Sequence, residues 1–130
     1  MNDKEKAVIS ANYNFYKSFS AADYKTMKTL WAERDDISTI HPGWGALHGR
    51  EVILSSWESM LLDSASINIK PANERAYITG DTAYVVCTEI LDEAELMATN
   101  IFTMEKGTWK LLHHHAGLFA VSRKNKTVTH

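Results

Sequence analysis

The chain carries one cysteine, Cys87, among 130 residues. That excludes an intrachain disulfide and fits a reducing compartment, so a cytoplasmic protein is expected. Cys87 lies in a strongly apolar run, Thr82 to Leu91, where a small core residue is the expected role rather than a nucleophile. No apolar run is long enough to span a bilayer, so no membrane partner is expected. There is no basic stripe either. The net charge is −2 with both signs interspersed, and no nucleic-acid partner is expected. Met1-Asn-Asp-Lys-Glu-Lys6 leads straight into a polar helix, and no secretory leader is expected. Internal repeats and low-complexity tracts are absent. What remains, 45% apolar residues over one domain's length, is enough for a single soluble core.

Helical spacing comes first along the chain. Ala7, Ala11, Phe15 and Phe19 recur every four residues from Asp3 to about Ser20, with Val8 and Tyr16 beside them. Asp3 is the expected N-cap. Asp23 opens a second, shorter helix whose apolar face is Met27, Leu30 and Trp31. A charged turn, Glu33-Arg-Asp-Asp36, precedes a short strand at Ile37-Ser-Thr-Ile40. The stretch from His41 to Gly49 is irregular. Pro42 biases His41 away from helix, and Gly43, Gly45 and Gly49 allow unusual backbone angles. Trp44 in such a loop should fold back over the core or a ligand. Gly49 to Asp63 reads as a third helix with Ile53, Trp57, Met60 and Leu61 on one stripe.

Beyond Ser64 the spacing becomes strand-like. Ile67, Ile69 and Pro71 alternate with polar residues, and Gly80-Asp81 reads as a turn. On the following strand Ala83, Val85, Cys87 and Glu89 share one face. The segment Ala98 to Gly117 reads as a hairpin turning at Glu105-Lys-Gly107. Strict alternation groups Trp109, Leu111, His113 and His115 on one face and Lys110, Leu112, His114 and Ala116 on the other. Helices followed by antiparallel strands is the α+β order.

This order resembles the SnoaL-like branch of the nuclear transport factor 2-like superfamily, over about residues 5 to 120. The motifs that carry the resemblance are His41-Pro-Gly-Trp44, Leu47-His-Gly49, Ser56-Trp57, Gly80-Asp-Thr-Ala83, Ala98-Thr-Asn-Ile-Phe102 and Trp109-Lys-Leu-Leu-His-His-His-Ala-Gly117. The resemblance implies a cone, with N-terminal helices packed in the concave side of a strongly curved antiparallel sheet. It implies one domain over residues 1–130, with a polar tail at 121–130, and a homodimer formed through the outer sheet face. It does not name one activity, because such proteins range from isomerases, cyclases and dehydratases to non-catalytic binding domains.

Mapped onto this sequence, the implied cavity is lined by Trp31, His41, Trp44, Trp57, Glu89, Asn100, His113 and His115. As an enzyme site, His41, His113 and His115 are candidate acid–base groups. Glu89 in an apolar pocket is tuned toward a base near neutral pH, and Asn100 is a candidate donor to a developing oxyanion. That set suits an isomerase, dehydratase or cyclase working without a cofactor. The acidic donor pair of the steroid isomerases is not found, so steroid isomerisation is not expected. As a binding module, Trp31, Trp44 and Trp57 hold an apolar or planar small molecule without catalysis. Two other readings stay open. The histidines can be structural, bonded to backbone or Glu89, or sit at the dimer interface. His113 and His115 can also join His41 or Glu89 around a metal, although no Cys pair or further His spacing supports that. On the alternation above, His115→Ala should disturb function more than His114→Ala.

Overall fold

The computed structural model describes residues 1–63 and 67–119; the polar tail expected from residue 121 lies outside the described residues. Three helices, α1 (Asp3–Ser20), α2 (Tyr24–Leu30) and α3 (Arg50–Asp63), accompany six strands. These are β1 (Ser38–Ile40), β2 (Leu47–His48), β3 (Lys70–Thr79), β4 (Thr82–Ile90), β5 (Glu95–Glu105) and β6 (Thr108–Leu118). They form one sheet in the order β2-β1-β6-β5-β4-β3. All neighbours are antiparallel except β1 and β6, which run parallel. The helices cover one face, giving the expected α+β cone.

Local chemistry explains the element ends. The cap of α1 is Asn2 rather than Asp3, because only Asn2 has a glutamate three residues on. Glu5 N–H donates to Asn2 Oδ1 at 2.8 Å and Asn2 N–H to Glu5 Oε1 at 2.9 Å, a reciprocal capping box. Asp23 caps α2 as expected, accepting from Thr26 N–H at 3.1 Å. At the start of α3, Asp35 Oδ1 accepts from Arg50 N–H at 3.1 Å. The Arg50 guanidinium reaches back to the carbonyls of Trp31 and Ala32 at 2.9 and 2.8 Å. One residue thus ties the end of α2 to the start of α3. Gly49 sits between them at φ +92°, where a Cβ would meet Asp35 Oδ1 at 3.3 Å. The β5–β6 hairpin turns on Lys106 and Gly107, both at positive φ, the requirement of a tight two-residue turn.

Two bulges break the alternation of the sheet. In β3, Ala72 pairs with Thr88 and Arg75 with Val86, so Asn73 and Glu74 together stand opposite Cys87. In β6, Leu111 pairs with Phe102 but His113 with Ile101, leaving Leu112 as an extra residue. A bulge of one residue reverses the facing of everything beyond it. The core lies between α1, α3 and the inner sheet face and includes Phe15, Trp31, Trp57, Val85, Phe102 and Leu111. Among the described residues no helix is long and apolar enough to cross a membrane.

Candidate functional site

The bulge at Leu112 corrects the expected facing of the three consecutive histidines. Trp109 and Leu111 point into the core as alternation requires. Beyond the bulge the phase changes, and His114, 1% exposed, and Ala116 point inward. His113 is half-buried and His115 exposed, together on the outer face with ring centroids 6.3 Å apart. They share a face, as expected, but it is the wrong one for the inner cluster. His113 Nδ1 lies 2.6 Å from Ser38 Oγ on the neighbouring β1. The expected contrast between His115→Ala and His114→Ala is therefore reversed.

Around His114 the inner face gathers a buried polar cluster. Asn12 and Tyr16 come from the apolar stripe of α1, Glu89 from β4 and Asn100 from β5. Tyr16 O–H donates to Glu89 Oε2 at 2.7 Å. Asn100 Nδ2 donates to Tyr16 Oη at 3.0 Å and to Asn12 Oδ1 at 2.8 Å. Asn100 Oδ1 then accepts from His114 Nδ1–H at 2.6 Å, and Asn12 Nδ2 donates onward to Glu74 Oε2 at 2.8 Å. The tautomer of His114 follows from these partners: a proton on Nδ1 leaves a bare lone pair on Nε2. Nε2 stands 3.9 Å from Glu89 Oε2.

Glu89 and His114 are not an ion pair at neutral pH, because burial works against both charges. Burial pushes Glu89 up to about 7, with the Tyr16 hydrogen bond pulling the other way. Burial pushes His114 down to about 3, aided by the like charges of His41, His113 and His115. Tyr16 is raised well above its ordinary value by burial first and then by Glu89, so it stays a donor. Cys87, 3.6 Å from Tyr16 Oη, is pushed up to about 11 by burial and remains a core thiol. The result is two acceptors, the Glu89 carboxylate and His114 Nε2, facing each other on buried residues. Among the described residues neither Glu89 Oε1 nor His114 Nε2 carries a hydrogen bond.

An aromatic wall adjoins this pair. Trp57 packs edge-to-face on Phe15, Phe19 and His41, at centroid distances of 5.4, 5.0 and 4.8 Å. His114 lies 5.0 Å from Phe15 and 5.9 Å from Trp57. His41 is buried, and burial lowers it to about 4. Ser56 O–H donates to the Ile53 carbonyl at 2.7 Å, so His41 Nε2–H donates to Ser56 Oγ at 3.1 Å. That leaves His41 Nδ1 without a partner among the described residues, and Trp57 Nε1–H is likewise unpartnered. Trp44, 50% exposed, packs its ring against His41 at 4.9 Å; it folds back as expected while keeping one side in solvent.

Of the eight residues expected at the site, His41, Trp57, Glu89 and Asn100 gather with His114 around one inner cluster. Trp44 covers its edge at His41. Trp31 is buried where α2 ends and bridges to Leu111 on β6. Asn100 is in place but not as a free donor, because Tyr16 and Asn12 take its amide hydrogens. His113 and His115 lie across the sheet from His41 and Glu89, so the metal set read from His-x-His does not assemble. Among the described residues no group of three His, Cys, Asp or Glu side chains is placed to hold a metal ion. The residues missed from the sequence are Asn12, Tyr16 as a polar partner, Glu74 and His114. Asn12 carried a legible signal: an amide on an otherwise apolar helical stripe needs a buried partner. Glu74 and His114 did not, since each depends on a bulge.

A sequence model of the SnoaL-like domain family matches residues 8–121. The F-box protein SKIP8 of Arabidopsis thaliana is 24% identical over 125 residues, which take in 95% of this chain and 54% of that protein. The chain thus spans about half the length of the curated relative it matches. Among solved structures, a candidate dehydratase of the nuclear transport factor 2-like family from Streptomyces avermitilis is similar, at 30% identity and a TM-score of 0.83. That match covers 91% of this chain and 97% of the other. A candidate calcium/calmodulin-dependent protein kinase type II association domain from Thiobacillus denitrificans follows at 26% identity and a TM-score of 0.79, covering 86% and 94%. The chain belongs to the SnoaL-like domain family and has the nuclear transport factor 2-like fold.

Proposed function

We propose that the protein binds an apolar small molecule at the inner cluster and moves a proton on it without a cofactor, as an isomerase or dehydratase does. The observation that carries this reading is the facing pair of buried acceptors, Glu89 and His114 Nε2, at 3.9 Å. Glu89 near 7 exchanges protons at neutral pH. In the step, Glu89 takes a proton from carbon beside a carbonyl, and the electron pair moves onto the carbonyl oxygen. Glu89 then returns the proton at another carbon, or a neighbouring hydroxyl leaves as water with it. Trp57 Nε1–H, a donor without a protein acceptor among the described residues, is available to the developing oxyanion. The similarity to a candidate dehydratase supports the same class.

The test is exchange of α-protons in deuterium oxide, followed by proton NMR, over a panel of small apolar ketones and β-hydroxy ketones. Exchange by the wild type and its loss in Glu89→Gln is the expected result. Binding of the same compounds without exchange would overturn proton transfer and leave a non-catalytic binding module.

A homodimer through the outer sheet face completes the reading. Tyr77 and Tyr84 stack there at 4.8 Å with both rings exposed, and Met97 is exposed further along the same face, opposite Thr88, apolar surface that a second copy can cover. The similarity to a candidate association domain favours it. Light scattering should give a dimer that Tyr84→Lys with Met97→Lys converts to monomer; a monomeric wild type would exclude it.

A further inference from the structure

We propose that Glu74 is a positioning residue that fixes the tautomer of His114 from three side chains away. An ionised carboxylate only accepts hydrogen bonds, whereas an asparagine amide accepts at one end and donates at the other. Glu74 Oε2 therefore compels Asn12 to present Nδ2, at 2.8 Å. Asn12 must then offer Oδ1 to Asn100, which answers with Nδ2, also at 2.8 Å. Asn100 is left with Oδ1 toward His114, and the proton must sit on Nδ1, at 2.6 Å. Direction set at Glu74 passes through two amides and ends as a lone pair on His114 Nε2, facing Glu89.

A second anchor exists, but it holds in one protonation state only. While Glu89 is ionised, Tyr16 must donate to it, so Tyr16 Oη accepts from Asn100 Nδ2 at 3.0 Å. Once Glu89 carries a proton it can donate to Tyr16, and Tyr16 is free to turn its own proton toward Asn100. Glu74 then holds the amides, with the long Asn12 Nδ2–Cys87 Sγ contact at 3.9 Å as the weaker partner at the same end among the described residues. On the proton-transfer reading above, that is the moment at which Glu89 holds the abstracted proton, and this catalytic consequence rests on that reading; the tautomer control does not.

The backbone is shaped for the task. The β3 bulge puts Asn73 at φ +55°, a conformation asparagine tolerates better than most residues. It stands Asn73 and Glu74 together opposite Cys87, where Glu74 turns in toward Asn12. Glu74 also lines a cleft of about 600 Å³ with Tyr13, Lys17 and Lys70, so the outer end of the chain of bonds is open to solvent.

The experiment is long-range ¹⁵N–¹H NMR of the histidine rings in the full chain, assigned by single-histidine substitutions and recorded well below and well above the Glu89 value of about 7. Wild type should show His114 protonated on Nδ1 in both. Glu74→Gln, which can donate or accept, should give a mixture of tautomers on the acid side and return to Nδ1–H on the basic side. Glu74→Lys, a donor only, should reverse the chain and give Nε2–H on the acid side. Retention of Nδ1–H by both variants on the acid side would overturn the proposal, and Glu74→Gln alone decides it if the lysine variant does not fold. Because the readout is a ring proton, an absence of α-proton exchange would sink the enzyme reading while leaving this result to stand by itself.

Discussion

His114 and His115 are chain neighbours on one strand, yet one is sealed against Phe15 and Asn100 and the other stands in solvent. Nothing in the two side chains distinguishes them. The difference lies in Leu112, the extra residue between the Leu111–Phe102 and His113–Ile101 pairs. The same contrast separates two serine–histidine pairs, His41 with Ser56 inside and His113 with Ser38 outside. Facing in a sheet is thus set by register, and chemistry follows from facing. The largest effect should come from inserting one alanine between His113 and His114. Deleting Leu112 would only join Leu111 to His113 in unbroken alternation and keep the observed facing, whereas the insertion, with the bulge kept, would drive His115 inward and His114 and Ala116 outward. It should cost more than about 4 kcal/mol or abolish folding, since it buries an unpartnered imidazole and strips Asn100 of its partner. An insertion variant that unfolds in urea at the wild-type midpoint would show that a one-residue step in β6 does not set the facing.

Single substitutions measure the same asymmetry more gently. His114→Ala leaves Asn100 Oδ1 unpaired and opens a void beside Phe15, a loss of roughly 3 to 4 kcal/mol. His115→Ala, at an exposed site, should stay within about 0.5 kcal/mol. Urea midpoints at constant slope would decide it; equal losses would put both rings in comparable surroundings.

Much of this molecule is legible in its sequence, and the residues that are not share a cause. The α1 stripe, the Asp23 cap, the irregular first part of the His41–Gly49 loop and the Glu105–Gly107 turn each rest on chemistry within a few residues, whereas β2 at Leu47–His48, inside that loop, forms by pairing with β1. Glu89 and Asn100 are placed inward by alternation because β4 and β5 pair without interruption from Thr82–Thr103 to Ile90–Glu95. His113, His115, His114 and Glu74 escape because each lies at or beyond a bulge. Leu112 gives no local sign, being neither glycine nor a turn residue. Asn73 is a residue suited to positive φ, but an asparagine within a polar run does not by itself mark a bulge. The cap on Asn2 rather than Asp3 was within reach, since the capping box needs only its glutamate three residues on.

The inner pair also differs from the outer face in how pH touches it. Glu89 is raised from 4.5 to about 7. The unfolded chain therefore releases this proton first. The stability it contributes is complete below 4.5, is lost as pH rises toward 7, and stays lost above. Glu89→Gln keeps an acceptor for Tyr16 and has no charge to bury. It should gain on the order of 3 kcal/mol over wild type above pH 7 and nothing below 4.5. His41 and His114 work with the opposite sign. Lowered from 6.5 to about 4 and about 3, they contribute stability that is complete above 6.5 and is lost as pH falls through those values. Both proteins should therefore weaken in acid, and only the wild type on the approach to pH 7. A constant difference between them across pH would mean that Glu89 is not held by burial.

The two serine–histidine pairs give the smallest and most closely matched test. Ser56 Oγ is the one partner of His41 seen among the described residues, since Nδ1 is unpartnered. Ser56→Ala thus leaves a buried imidazole with neither nitrogen satisfied and should cost about 1 to 2 kcal/mol. Ser38→Ala removes a shorter contact, 2.6 Å against 3.1 Å, yet His113 is half-exposed and water can take the place of the lost hydroxyl. Its cost should be about 0.5 kcal/mol. If distance alone ranked these bonds, the order would invert. Denaturation of the two variants side by side therefore asks whether burial or bond length governs, and a larger loss in Ser38→Ala would mean that the cover a second copy lays on the outer face extends to Ser38 and His113.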